Sequence, residues 1–374
     1  MFNIIEKTTS GLKLYKGKTM KKLLITLLAS VGIMSAAQAD YTLVVPQGPG
    51  QGTSVWAGII ARGLSKFTDE PVVIQHIPGA RDIPGFNKFH NDLRNNDKMI
   101  MVAHGGNGVS FLLDKVDYDY RQYSSIGMMN LDIVVGKRKD ADAKTSQFKV
   151  AGGSGYEPDG AAMAMMVCGP QPGGAVDAYL KCFKERIVWV NGVKGNEKRL
   201  AFLRGEFNTT RESPAAWFKF YSDDQVTATN EVWYTHGTYD LKNKKQIPDA
   251  NFPGTQFEEQ YKKLWGEYPK GELYEAYRLT RNWRDVIQKS LWVNKGNPNT
   301  EKLRAALVKM LQDPETMAAI EKDAGKYEWI VGADGDAVIT ELYKLVTEPA
   351  LKAAVRWNQE AYGFPSIYKP ELLK

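Results

Sequence analysis

Residues 41–54 read YTLVVPQGPGQGTS. The first five residues form a short apolar run typical of a buried strand, and the other nine are rich in Gly and Pro, as in a tight loop. Residues 53–66 then carry apolar side chains at helical spacing. Because a strand, a glycine-rich loop and a helix follow one another directly, the stretch is typical of an α/β sheet whose loops lie at the carboxyl ends of its strands.

The same unit recurs twice in the next part of the chain. Residues 71–75 (PVVIQ) predict a second strand, residues 76–85 a turn rich in Gly and Pro, and residues 85–95 a helix. Residues 98–104 (KMIMVAH) predict a third strand, which runs into the glycine-rich residues 105–108. Three such units predict a doubly wound parallel sheet that binds its ligand beyond the carboxyl ends of the strands.

A change of pattern after Val135 predicts a second lobe. Residues 149–167 restart the order of strand, glycine loop and helix, and residues 185–193 supply another strand. Strand character returns at residues 290–294 (SLWVN), so the chain crosses between lobes twice. The predicted division is a leader over residues 1–39, lobe 1 over residues 40–135 plus 290–374, and lobe 2 over residues 136–289.

The remaining stretches give simpler predictions. Residues 241–271 are polar and contain three prolines, which predicts long loops with one short helix. Residues 297–325 predict two helices. Thr300 is expected to cap the first of them, because its hydroxyl can accept a hydrogen bond from an N–H of the opening turn.

The N-terminus predicts export. Met20-Lys21-Lys22 is followed by the apolar run LLITLLASVGIM and by small residues that end in AQA before Asp40, the order of a secretory signal peptide. A membrane anchor is the alternative, but the apolar run is shorter than the roughly 20 residues that a span requires. We therefore expect cleavage after Ala39, a periplasmic protein, and translation that starts at Met20 rather than at Met1.

The leader also accounts for the basic composition. The chain has 49 Lys and Arg against 43 Asp and Glu, a net charge of +6, and residues 1–39 hold six of the lysines and one of the glutamates. The remaining chain of about 335 residues therefore carries a net charge of only +1. Such a balance gives no support to a nucleic-acid partner or a membrane-surface partner, and none is expected.

The cysteines and histidines leave one question open. Cys168 and Cys182 are the only cysteines, and in an oxidising compartment they either form a disulfide or remain as two buried thiols. The four histidines are scattered, and none has the spacing of a metal site. We expect no metal, no cofactor and no catalytic residue.

A dinucleotide-dependent enzyme is the main alternative from another class of protein. Gly50 and Gly52 after the first strand imitate part of the Rossmann fingerprint. However, Val55 stands where the third glycine belongs, and the second strand ends in Gln75 rather than in the acidic residue that binds a ribose. The motifs of serine and zinc hydrolases are also absent from the sequence.

Several segments together resemble the substrate-binding component of tripartite tricarboxylate transporters. The first loop is similar to the family pattern PFxPGGGTDxxA, the second to RPGAGGxxG, and the third to a Gly/Ser-rich turn of the second lobe. Residues 205–208 match a GGxVD step loosely, and KLRAALVKMLQDPE resembles a C-terminal helix that ends in LxDP. The matching loop positions are Pro46, Pro49, Gly50, Gly52, Thr53, Ala57, Pro78, Gly79, Ala80, Gly85, Ala151, Gly153 and Gly155.

The resemblance implies a periplasmic-binding-protein (type 2, Venus-flytrap) fold, an α/β fold of two lobes joined by two crossover strands. It also implies a monomeric solute-binding protein, not an enzyme, that captures a small carboxylate such as a di- or tricarboxylate or an aromatic acid. The partners would be integral-membrane permease subunits of a secondary transporter. A periplasmic ligand sensor with the same fold is the alternative that the sequence leaves open.

This chain departs from the family pattern in two loops. Ser54 stands where the family has Asp, and Arg81 and Asp82 stand where it has two glycines. A guanidinium at position 81 offers a planar fork to a carboxylate. Arg81 therefore either contacts the ligand, or points to solvent or pairs with Asp82.

The glycine loops are the candidate ligand-binding segments. Glycines let the backbone approach a ligand closely, and helix N-termini offer unpaired N–H groups and the positive end of a dipole, which suits a carboxylate. Trp56, Tyr156 and Trp217 lie near these loops and either stack on an aromatic acid or pack in the core. The candidate residues are Gly50, Gln51, Gly52, Thr53, Ser54, Gly79, Ala80, Arg81, Gly105, Asn107, Gly153, Ser154, Gly155, Tyr156 and Asn208.

Overall fold

The computed structural model describes the chain from Asp40 onward. Asp40–Lys374 form one structural unit. No helix within the described residues is long and apolar enough to cross a membrane. The described residues are 40–79, 82–112, 115–151, 158–193, 195–240, 242–243, 245–362 and 369.

A six-stranded mixed sheet, here the first sheet, carries the candidate loops. Three strands, β1 (Tyr41–Val45), β2 (Val72–His76) and β3 (Met99–His104), are parallel to one another. β12 (Lys289–Asn294) runs antiparallel to β3 and to β4 (Tyr123–Met129), and β13 (Trp329–Val331) runs antiparallel to β4. The predicted parallel arrangement is therefore confirmed for β1, β2 and β3, whereas the strands from the C-terminal part of the chain run in the opposite direction and make the sheet mixed. In spatial order the strands are β13 (Trp329–Val331), β4 (Tyr123–Met129), β12 (Lys289–Asn294), β3 (Met99–His104), β1 (Tyr41–Val45) and β2 (Val72–His76).

Both faces of the first sheet are covered, which explains why its central strands are apolar without alternation. In β1, Leu43 faces one core and Val44 the other, and both are buried. The helices that cover the two faces are α1 (Gly52–Ser65), α10 (Thr300–Met310) and α11 (Pro314–Ala324) on one side, and α2 (Ile83–Lys88) and α12 (Ala333–Lys344) on the other.

A five-stranded mixed sheet, the second sheet, is built from the middle of the chain. Its spatial order is β7 (Ile187–Val190), β6 (Phe148–Ala151), β8 (Thr209–Glu212), β5 (Val134–Arg138) and β9 (Asn230–Thr235). The helices of this part are α3 (Asp159–Cys168), α4 (Val176–Arg186), α5 (Gly195–Leu203), α6 (Pro214–Tyr221), α7 (Asp224–Thr229) and α8 (Phe257–Trp265). Two separate sheets with helices on them agree with the predicted two-lobed α/β architecture, while the predicted lobe bounds remain a prediction.

The polar stretch 241–271 contains more structure than expected. A small antiparallel hairpin joins β10 (Thr238–Asp240) to β11 (Lys245–Ile247), and α8 follows it. The strands are only three residues long, which is too short for an alternating pattern to be recognised in the sequence.

Two helices pack along each other and belong to the cores of both sheets. In α9 (Glu272–Val286), Tyr277 packs in a core of the second sheet and Trp283 in a core of the first. In α13 (Glu348–Tyr362), Val355 and Trp357 divide in the same way. The helix pair therefore connects the two halves of the structure.

Two local expectations are settled by the structure. Cys168 and Cys182 form a disulfide with a Cα–Cα distance of 6.1 Å, which ties the end of α3 to α4. Thr300 does not cap α10, because it is the first residue of the helix and its hydroxyl donates to the carbonyl of Asn297 at 2.6 Å. Asn299 occupies the cap position without a side-chain hydrogen bond.

Candidate functional site

The carboxyl ends of β1, β2 and β3 meet at one edge of the first sheet, here called the loop edge. Because β12 is antiparallel, it begins where these strands end, and Lys289 pairs with His104 in the ladder. The loop edge thus gathers loops from the N-terminal part of the chain and a strand from its C-terminal part.

The loop after β1 delivers the N-terminus of α1 to the loop edge. Gln51 precedes the helix in extended conformation and makes no side-chain cap. The N–H of Thr53 donates to Oε1 of Gln47 at 3.2 Å, and the Gln47 carbonyl accepts from Nδ1 of His76 at 2.9 Å. Gly50 has a φ of +79°, a left-handed conformation that favours glycine.

His104 and Asp82 form an ordered pair beside this loop. Nδ1 of His104 accepts from the N–H of Gly106 at 3.1 Å, so the ring proton is on Nε2, which donates to Oδ2 of Asp82 at 2.5 Å. Asp82 has a φ of +62°, the single non-glycine residue with positive φ within the described residues. The pair therefore holds the loops after β2 and β3 together at the cost of backbone strain.

The loop after β3 packs tightly on the end of α9. A Cβ at Gly105 would lie 1.9 Å from Oε1 of Gln288 and 2.6 Å from the carbonyl oxygen of Arg284, so only glycine fits. Asn107 is fully buried, and neither atom of its side-chain amide has a hydrogen-bond partner within the described residues. An unpaired buried amide is costly and is typical of a binding site.

Charged side chains continue inward from this loop as a buried polar cluster, defined as Asp159, Arg211, His236, Arg284 and Asp285. Nη1 of Arg211 donates to Oδ2 of Asp159 at 2.5 Å. His236 lies between two carboxylates, with Nε2 3.7 Å from Asp159 and Nδ1 3.9 Å from Asp285. Nη1 of Arg284 is 3.7 Å from Oδ1 of Asp285. The cluster joins α9 to elements of the second sheet.

Several atoms of the buried polar cluster have unused hydrogen-bonding capacity. Nε and Nη1 of Arg284 have no hydrogen-bond partner within the described residues, although the side chain is only 5 % exposed. Both ring nitrogens of His236 are equally unpaired, as is Oδ1 of Asp159. A buried guanidinium with two nitrogens that lack hydrogen-bond acceptors is suited to an anionic oxygen, such as that of a carboxylate.

Burial sets the protonation states in the buried polar cluster. Desolvation lowers the pKa of His236 well below its usual value, and the nearby Arg284, Arg281 and Arg211 lower it further, so the ring is neutral at pH 7. Desolvation also raises the pKa of Asp285 to about 7, against the opposing effect of Arg284. The pKa of Asp159 is raised for the same reason.

A small pocket lies beside the buried polar cluster in the second sheet. Asp159 and Arg211 provide its charged wall, Thr209 its hydroxyl, and Val150 and Met163 its apolar floor. Within the described part of the chain, no group of three or more His, Cys, Asp or Glu residues is arranged to hold a metal ion.

The structure brings part of the predicted site together. The residues at the loop edge, either in its loops, in the first turn of α1 or in the short 3-10 helix after β3, are Gly50, Gln51, Gly52, Thr53, Ser54, Gly79, Gly105 and Asn107. Asn208 lies elsewhere, since its Oδ1 accepts from the N–H of Lys149 at 2.6 Å within the second sheet. Outside the described residues lie Ala80, Arg81, Gly153, Ser154, Gly155 and Tyr156.

None of the residues of the buried polar cluster was predicted from the sequence as a site residue. Its residues come from three separate elements and from the loop after β9, and they share no motif. One signal was readable in α9, where Arg281, Arg284 and Asp285 interrupt an otherwise apolar stripe with Tyr277 and Trp283. Charged residues on a buried helix face are rare unless they are paired or bind something.

Comparisons with known proteins give the fold. No protein-family model matches the sequence, and no curated protein matches it either. Solved structures do match. A TctC solute-binding protein from Polaromonas is 17 % identical, with a TM-score of 0.52, over 83 % of this chain and 99 % of that chain. The periplasmic binding protein BugD is 15 % identical, with a TM-score of 0.52, over 85 % of this chain and 98 % of that chain.

These two structures are solute-binding proteins of the kind that the sequence motifs resemble. The prediction of a two-lobed periplasmic-binding-protein fold is therefore confirmed. At such low identity the likeness establishes the fold, while function rests on the chemistry of the site.

Proposed function

We propose that this chain is a periplasmic solute-binding protein that captures a small carboxylate between its two lobes and delivers it to the permease subunits of a tripartite transporter. The observation that carries the proposal is Arg284, whose buried guanidinium has two unpaired N–H groups. The fold supplies the context, since both structures that it resembles are solute-binding proteins.

The geometry suggests how a carboxylate is held. Nε or Nη1 of Arg284 donates to one of its oxygens, and the unpaired amide of Asn107 is available for a further hydrogen bond. The N-terminus of α1, with Thr53 and Ser54, adds backbone N–H groups and the positive end of a helix dipole. Arg81 is proposed as a second guanidinium contact from the loop after β2.

Export and partners complete the proposal. The chain is secreted with cleavage after Ala39, and the mature protein acts as a monomer without a cofactor. The mature charge balance of +1 supports a small-molecule ligand rather than a nucleic acid. N-terminal sequencing of the protein recovered from the periplasm tests the processing site, which must be Asp40.

The binding proposal is tested by a thermal-shift screen of the protein that begins at Asp40, against carboxylates, amino acids, sugars and nucleotides. A ligand at 100 times its dissociation constant adds about 2.7 kcal/mol to the free energy of unfolding. We expect carboxylates to stabilise the protein. Stabilisation by sugars or nucleotides alone would contradict the proposal.

Two arginines of α9 provide a matched pair of variants. Arg284 is buried with unpaired N–H groups, whereas Arg278 is exposed and pairs with Glu275 at 3.1 Å. We expect Arg284→Ala to weaken carboxylate binding at least tenfold in titration calorimetry and Arg278→Ala to leave it unchanged. Equal affinities in the two variants, with both proteins folded by circular dichroism, would remove Arg284 from the site.

A further inference from the structure

Lys289 is a buried lysine at the loop edge. It is the first residue of β12, and its residue exposure is only 9 %. Along the strand, Lys289 alternates with Ser290 and Trp292, so its side chain lies on the same face as Leu291 and Val293. Helix α1 covers that face of the first sheet. Trp283 packs on the opposite face, and the adjacent Arg284 contacts the loop after β3.

The Lys289 ammonium has no hydrogen bond or ion pair within the described residues. Its nearest described aromatic neighbour is Trp56, whose ring centroid lies 5.9 Å from Nζ. Burial lowers the pKa of Lys289 to about 8, and the charge of Asp323 offsets this only in part. The ammonium is therefore still largely charged at pH 7, in a site that does not neutralise it.

Two further donors without acceptors belong to Trp56, whose ring the ammonium approaches, and to Trp329, which stacks on Trp56. Trp56 of α1 and Trp329 of β13 stack with their ring centroids 6.1 Å apart. Nε1 of each indole is buried and has no acceptor within the described residues. An indole N–H can only donate, so the cluster of Lys289, Trp56 and Trp329 presents one ammonium and two indole N–H groups and has no acceptor of its own.

This donor cluster lies where the two halves of the structure meet. α6, from the second sheet, packs against α11, from the first. Asp323 of α11 interacts electrostatically with both Lys289 and Lys219 of α6. The donor cluster therefore lies near the contact between α6 and α11, and it is separate from the buried polar cluster.

We propose that Lys289, Trp56 and Trp329 form a second anion subsite, which takes a carboxylate group of the ligand. The inference rests on the proposed function in taking the carboxylate as the occupant. A carboxylate at Lys289 supplies two acceptor oxygens beside an ammonium and indole N–H groups that have no acceptor within the described residues. A ligand with two or more carboxylates then has one group for this subsite and another for Arg284, whereas a monocarboxylate fills one of them.

Lys289→Met tests the subsite, because methionine keeps the apolar stem and removes the ammonium. Lys295→Met is the matched control, since Lys295 follows the same strand and is exposed. Affinities for di- and monocarboxylates of equal chain length are measured by titration calorimetry. We expect Lys289→Met to lose at least tenfold in affinity for the dicarboxylates and little for the monocarboxylates, and the control to bind like the original protein.

The indole N–H groups give an independent readout. Their signals in ¹H–¹⁵N spectra are assigned with Trp56→Phe and Trp329→Phe. A dicarboxylate should shift both signals in the original protein and neither in Lys289→Met. Unchanged indole signals on saturation, or equal dicarboxylate affinity in Lys289→Met and the original protein, would overturn the subsite while leaving the proposed function intact.

Inorganic oxyanions separate the subsite from the proposed function. If no carboxylate binds the original protein, the proposed function fails. The subsite then stands only if sulfate or phosphate stabilises the original protein and not Lys289→Met in thermal shift. Failure of these anions as well would overturn the subsite.

Discussion

At the scale of single residues, Asp285 links the site to pH. Its pKa is raised from 3.8 to about 7 by burial, so the folded state binds its proton more tightly than the unfolded state does. The stabilising contribution of the protonated form is therefore complete below about pH 4 and is lost as pH rises toward 7.

We expect Asp285→Asn to flatten the pH dependence of stability. In the original protein the free energy of unfolding should fall by up to about 4 kcal/mol between pH 4 and pH 7, because the pKa of Asp285 differs by about three units between the folded and unfolded states. The asparagine does not titrate, so this fall should be absent from the variant. Urea unfolding across this range gives the measurement. The control is Asp334→Asn, at an exposed position in α12, and equal slopes in the two variants would contradict the buried carboxyl as the cause.

Lys289 should give the opposite dependence of the free energy of unfolding on pH. Its folded pKa is lowered from 10.5 to about 8, so the folded state binds its proton less tightly than the unfolded state. Stability from this residue therefore rises between pH 8 and pH 10.5. We expect Lys289→Met to be more stable at pH 7 by up to about 3 kcal/mol, measured by urea unfolding, and a less stable variant would contradict a buried, unneutralised ammonium.

Some single-residue features of the site could be predicted from the sequence and others could not. Gly50 and Gly105 could be predicted as loop positions, because glycine after a strand indicates a close backbone approach. Arg284 could not be predicted to have unpaired N–H groups, since whether a helical arginine faces solvent or a buried cluster depends on its packing against distant elements.

At the scale of elements, the disulfide joins α3 to α4 across 14 residues. We expect the double change Cys168→Ala and Cys182→Ala to lower the free energy of unfolding by about 3 kcal/mol, the value for closing a loop of this length in the unfolded chain. Urea unfolding measures the change. Reduction of the original protein should give the same loss, and a variant as stable as the oxidised protein would contradict the prediction.

Gly136 in β5 shows how closely α6 packs on the second sheet. A Cβ at Gly136 would lie 2.2 Å from Cζ3 of Trp217, a contact that real side chains do not make. We expect Gly136→Ala to destabilise the protein by about 1–3 kcal/mol in urea unfolding, because the ring must shift. Gly136→Ala should destabilise the Trp217→Phe variant by less than it destabilises the original protein. Equal losses of unfolding free energy in the two proteins would exclude the Trp217 ring as the cause.

Elements with a clear pattern were predicted well. The strand at 41–45 and the helix after it appear within one residue of their expected bounds, because apolar runs and glycine loops mark them locally. The antiparallel return of β12 and β13 has no local mark. Strand direction depends on the connections between elements, and the sequence pattern of a buried strand is the same in either direction.

At the scale of the whole molecule, the two-lobed fold predicts closure on a ligand. The chain passes from β4 to β5 through residues 130–133, where the side-chain amide of Asn130 bonds both the N–H and the carbonyl of Tyr239. We expect the radius of gyration to fall when a stabilising carboxylate is added, measured by small-angle scattering. An identical value with and without the ligand would count against closure.

The packing of α9 against α13 couples the unfolding of one half of the molecule to that of the other. Trp283 and Tyr277 belong to one helix but to different cores, so neither core can lose its packing without exposing side chains of the shared pair. Partial unfolding that leaves one half intact is therefore disfavoured. We therefore expect the protein to unfold in a single cooperative step. A protease then finds almost no partly unfolded form to cleave.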